Sequence, residues 1–140
     1  TRVRVDARAF RTLGAGHVLG VQTQLLAHGD GEIPINLQAV VGNNTTMRGY
    51  EMGRYVDRAL LTAQLEYRTP LMGKLGAAAF AGATWLTYEV ERMFESRALP
   101  SVGAGIRYRL DAAARSAIRV DYAFGASGQR GLYIAFNEAF

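Results

Sequence analysis

The chain has 140 residues, 49 % of them hydrophobic, no cysteine and a formal net charge of +4, which bounds the expectation to one domain without disulfides or thiolate metal sites. Mean hydropathy is close to zero, so apolar residues must be interleaved with polar ones rather than gathered in runs, and that favours strands. The longest weakly polar run, LGAAAFAGATWL, falls well short of the roughly 20 residues that a spanning helix needs.

Nearly all the basic residues are arginines, with Lys74 the single lysine. They are scattered at alternate positions instead of forming a patch, which argues against a nucleic-acid partner. The opening segment, TRVRVDARAF, has neither the basic start nor the apolar stretch of a signal peptide. The expectation is a removed export signal or a piece of something longer.

Splitting the segments by parity predicts strands, because side chains in a strand point alternately to opposite faces. In TRVRVDARAF, Val3, Val5, Ala7 and Ala9 oppose Arg2, Arg4, Asp6 and Arg8. In HVLGVQTQLLAH, Leu19, Val21 and Leu25 oppose Gly20, Gln22 and Gln24. The segment IPINLQAVV sets Ile33, Ile35, Leu37, Ala39 and Val41 against Asn36 and Gln38 and is predicted as a third strand. A long polar loop follows, about residues 42–58. Beyond it, Leu61, Ala63, Leu65 and Tyr67 oppose Thr62, Gln64, Glu66 and Arg68. AAAFAGATWLTY has no clear parity. Val102, Ala104, Ile106, Tyr108 and Leu110 then oppose Gly103, Gly105, Arg107 and Arg109. Ile118, Val120, Tyr122 and Phe124 oppose Arg119 and Asp121, and the last segment places Leu132, Ile134, Phe136 and Phe140 on one face, with Glu138 read as an interface residue.

Eight strands are expected. Short turns (GDGE, MGKLG, DAAARS) alternate with TLGAG, the long loop, EVERMFESRA and ASGQR, and this length asymmetry is the habit of outer-membrane barrels. A soluble sandwich would bury the apolar face, whereas a barrel in lipid turns it outward. Three features favour the barrel. The strands run about 9 to 12 residues, the length of a tilted crossing. Tyr67, Trp85, Tyr88, Tyr108, Tyr122 and Phe140 fall near strand ends, as interface girdles require. The polar faces carry glycine and arginine where a solvent face would carry lysine and glutamate.

Within the long loop, Met47, Arg48, Gly49 and Tyr50 stand out. The stretch MRGYEMGRYVDRALLTAQLEYRTPL resembles the Val-Arg-Gly-Tyr/Phe loop and following strand of the bacterial surface-antigen superfamily of outer-membrane assembly factors, the BamA/TamA family. HVLGVQTQLLAHGDGEIPI, LPSVGAGIRYRLD, RVDYAFG and GLYIAFNEAF resemble the C-terminal half of that family's barrel. The resemblance implies that the loop lies between the eleventh and twelfth of sixteen strands and folds into the lumen, making these eight the ninth to sixteenth. It also implies an acidic acceptor for Arg48 in a Phe-x-Asp-x-Gly pattern. Here FAGAT puts Gly82 and Thr84 at those positions, so Glu66 becomes the expected partner with Gln64 as a neutral helper. Phe140, with Phe136, Ile134 and Leu132, resembles the terminal recognition signal of such barrels.

Other motifs are discounted. GAG lacks the third glycine of a dinucleotide fingerprint, and GASG lacks the spacing of a nucleophile elbow. His17 and His28 have no third ligand in the pattern, and GDGE is too short for a calcium loop. No catalytic constellation, cofactor or metal site is expected.

The expected architecture is an all-β, transmembrane antiparallel β-barrel over residues 1–140, either a closed eight-strand barrel or half of a sixteen-strand barrel. Seven inward arginines against Asp6, Glu66 and Asp121 crowd a closed eight-strand interior. Two copies joined edge to edge, or a missing N-terminal half, would relieve that. The expected setting is the cell outer membrane, with lipid on the apolar face. Client proteins are the partners that the resemblance implies, in an insertion or translocation role. The alternative is a passive anchor or small pore, including the barrel part of a patatin-type lipase.

Overall fold

The computed structural model describes residues 1–29, 31–34, 37–43, 45–111 and 116–137. In chain order the strands are β1 (Arg2–Gly14), β2 (His17–His28), β3 (Ala39–Val40), β4 (Val56–Asp57), β5 (Ala59–Met72), β6 (Leu75–Thr87), β7 (Leu99–Asp111), β8 (Ser116–Gly125) and β9 (Arg130–Phe136). Seven of them form one sheet in the order β1-β2-β5-β6-β7-β8-β9, while β3 and β4 make a separate two-stranded ladder. Every neighbouring pair in the large sheet is antiparallel. No α-helix occurs among the described residues; short 3-10 turns span Val90–Glu95 and Ala126–Gly128.

The sheet has its polar side covered and its apolar side open, the reverse of a soluble protein. Gln22, Thr62, Gln64, Glu66, Arg107, Arg119 and Asp121 are buried, whereas Leu65, Val102, Ile106 and Leu132 are 45 %, 56 %, 55 % and 62 % exposed. The parity read from the sequence therefore corresponds to a real division of faces. In β6 the sequence showed no contrast because small residues occupy both sides. Register resolves it: Trp85 lies across from outward Leu61, and Thr84 from buried Thr62.

Of the strand predicted at Ile33–Val41, only Ala39–Val40 is strand among the described residues, and it lies outside the large sheet, which has seven strands instead of eight. Ile35 and Asn36 lie outside the described residues. The Leu37 N–H donates to the Pro34 carbonyl at 2.8 Å, and among the described residues of this segment only Ala39 and Val40 pair as a strand, against Asp57 and Val56. The alternation there was real but served another purpose. Ala39 and Val41 are buried with Met47, Tyr50, Leu60 and Leu99 in a small apolar cluster between the loop and the sheet.

Losing that strand reassigns the connections. TLGAG joins β1 to β2, where Gly14 and Gly16 adopt φ of +93° and +82°, conformations glycine reaches without a Cβ penalty. It lies at the same end as the β5–β6 turn and the Asp111↔Ser116 end of β7 and β8. GDGE belongs instead to the long loop at the opposite end. Two strands of the large sheet precede that loop and five follow, so the ninth-to-sixteenth assignment is short by one strand. Among the described residues the sheet is open, with β1 and β9 as its edges, so of the two architectures expected the closed eight-strand barrel is not formed.

Candidate functional site

The site is the covered polar face, built around Arg48. Inward positions supply a floor of unequal heights. A Cβ at Gly103 would run into the Phe80 ring, and one at Gly105 into the Asp121 carboxylate. Glycine in β7 therefore leaves room for Phe80 from β6 and Asp121 from β8 to lean across it. On that floor lies the loop, with the Gly49 backbone close against β8. Gly49 has φ of +105°, and a Cβ there would stand 2.7 Å from the Phe124 carbonyl carbon. Only glycine fits both the conformation and the approach to β8.

This approach carries the Arg48 side chain into the sheet, where it is 1 % exposed. Its Nη2 donates to Glu66 Oε2 at 2.5 Å and its Nη1 to Asp121 Oδ2 at 2.5 Å. The guanidinium carbon sits 3.4 Å from the Phe80 ring centroid, a cation–π contact in a dry setting. Each carboxylate is shared. Arg68 Nε donates to Glu66 Oε1 at 2.8 Å, and Arg107 Nη2 lies 3.6 Å from the same oxygen. Arg119 Nη1 donates to Asp121 Oδ2 at 2.8 Å, and Arg107 Nη1 donates to Asp121 Oδ1. Charges this deeply buried are tolerable only when paired and hydrogen-bonded.

The loop backbone is held as firmly. The Met47 N–H donates to Gln64 Oε1 at 3.0 Å, Gln64 Nε2 donates to Gln22 Oε1 at 2.8 Å, and Gln22 Nε2 reaches Asp6 at 2.9 Å. A polar chain thus runs from the loop to β1. Ser101 Oγ donates to the Arg48 carbonyl. Tyr50 Oη accepts from the Ala126 N–H at 2.9 Å and donates to the Pro100 carbonyl. Burial pushes the Tyr50 phenol above its usual pKa.

Met47, Arg48, Gly49 and Tyr50 therefore converge with Glu66 and Gln64 in one place. Asp121 is the acceptor that sequence reasoning did not assign to Arg48. Its inward parity, and the scarcity of inward acids, were the available signals. Gly82 takes no part in the ion pairs; a Cβ there would meet Met47 Sδ at 3.2 Å. Leu132, Ile134 and Phe136 lie apart on the outward face of β9, each more than 60 % exposed by values of 62 %, 68 % and 73 %. Phe140 lies outside the described residues. His17 pairs with Tyr67, its Nδ1 2.6 Å from the hydroxyl. Among the described residues no group of three or more His, Asp or Glu side chains is placed to hold a metal ion.

An antiparallel sheet with an ionic covered face and an apolar open face has the construction of a membrane-barrel wall. The chain belongs to the Omp85 superfamily, whose domain model matches residues 1–137. This agrees with the resemblance carried by the Arg-Gly-Tyr loop and places the chain in an outer-membrane assembly and translocation superfamily. No curated protein matches the chain.

Proposed function

We propose that this chain is the loop-bearing wall of an outer-membrane barrel that inserts or translocates proteins, acting by shape and hydrogen bonding without covalent chemistry. Its apolar face meets lipid, and further strands complete the barrel, because two unpaired edges in hydrocarbon leave backbone groups unsatisfied. The observation that carries the reading is the buried Arg48 cluster. A passive pore works through an open, water-filled lumen. Here the lumenal face is occupied by a loop fixed through two carboxylates, a device suited to a barrel whose interior must be regulated or rearranged.

The test is assembly of a denatured porin into proteoliposomes that contain the full protein, followed by the gel shift that folded barrels show without heating. The expected result is faster assembly than in empty liposomes, with the gain lost in Arg48→Ala. Equal rates with empty liposomes, or full activity in Arg48→Ala, would favour the anchor reading.

A further inference from the structure

The loop has a second attachment, on the edge of the sheet. Tyr133, on β9, accepts a hydrogen bond from the Gly49 N–H at 2.7 Å and donates to the Tyr50 carbonyl at 3.3 Å. Its ring folds back along its own strand over Gly131, where an added Cβ would stand 2.7 Å from the Tyr133 hydroxyl. Gln129, just before β9, accepts from the Glu51 N–H at 3.4 Å and donates to the Tyr55 hydroxyl at 3.2 Å. Three consecutive loop residues, Gly49 to Glu51, are thus engaged by side chains of the β9 segment.

The two attachments differ in what carries them. Glu66 and Asp121 stand on β5 and β8, which are paired on both sides, whereas among the described residues β9 pairs only with β8, from Ile118↔Phe136 to Phe124↔Arg130. We infer that Tyr133 is a positioning residue that couples the seating of the Arg48 loop to the seating of edge strand β9 on β8. Displacing β9 removes the acceptor of the Gly49 N–H and weakens the loop's hold. By linkage, a seated loop holds β9 in register to the same extent. This coupling is a property of the fold and stands independently of client assembly.

Hydrogen exchange on the full protein in nanodiscs tests it. Tyr133→Phe keeps the ring and removes the hydroxyl; the expected result is about fivefold faster exchange over residues 47–52, the loss of roughly one hydrogen bond. Tyr122 and Leu132 face each other across β8 and β9 on the outward side. With Tyr122→Cys and Leu132→Cys, oxidation pins β9. Pinning should slow loop exchange when Tyr133 is present and slow it markedly less in Tyr133→Phe, where only Gln129 still links the loop to the β9 segment. Equal slowing in both backgrounds, or unchanged loop exchange on Tyr133→Phe, would overturn the coupling. Should Tyr133→Phe fail to fold, oxidation of the cysteine pair alone decides: no change in loop exchange overturns it.

Discussion

Arg48 and Asp121 are 73 positions apart in the chain, and Arg48 Nη1 donates to Asp121 Oδ2 at 2.5 Å while Nη2 donates to Glu66 on another strand. Removing one acceptor strands a guanidinium in a dry interior. Asp121→Ala should therefore destabilise the protein by about 3 to 5 kcal/mol, the scale for breaking a buried pair from one side. Because Asp121 also serves Arg107 and Arg119, the effect should equal or exceed that of Glu66→Ala. Urea midpoints of the folded and unfolded gel bands check the order; a neutral Asp121→Ala would remove the cluster's structural role.

Arg48→Lys should not restore what Arg48→Ala loses. An ammonium cannot span Glu66 and Asp121 from the place where the planar guanidinium forks between them and lies on Phe80. Loop protection in hydrogen exchange should be lost to a similar degree in both variants, and full protection with lysine would contradict this.

Gly49 and Gly53 separate two sources of strain. Both have positive φ, +105° and +85°, but a Cβ at Gly53 meets nothing within 4 Å. Gly53→Ala should cost about 1 kcal/mol, from backbone conformation alone. Gly49→Ala adds a clash with β8 backbone, and should lift the loop and expose Arg48 to exchange. Equal effects of the two substitutions would mean that the close approach to Phe124 is unimportant.

Leu65 lies near the middle of β5, on the open face, across from Val21 and Ala81. In a bilayer, Leu65→Arg should cost about 2 to 4 kcal/mol; on a solvent-facing surface the same change would fall within roughly 0.5 kcal/mol. Folding yield into liposomes across a urea series distinguishes the two.

The faces of the sheet were legible because period-two contrast survives wherever large apolar and polar residues alternate, as in Leu61 to Arg68. The contrast vanished in β6, where alanines occupy outward and inward positions alike. The false strand at Ile33–Val41 shows the opposite failure. Ala39 and Val41 share one parity because they pack beneath the loop, with Val40 facing the other way, and local periodicity cannot say which surface lies opposite. Glu66 could be singled out from its place on the strand after the loop. Asp121 required knowing that the bare Gly105 leaves the space in which its carboxylate meets Arg107, a relation between neighbouring strands that no single segment displays.

The direction of travel of the edge strands has a geometric consequence for sealing. β1 begins at the long-loop end, where Arg2 pairs with His28, and β9 also begins there, where Arg130 pairs with Phe124. The two free edges therefore run the same way. Joining them to each other, or to the same edges of a second copy inserted in the same orientation, would create parallel seams in an otherwise antiparallel wall. A barrel sealed by antiparallel pairs alone must gain an odd number of strands between β9 and β1.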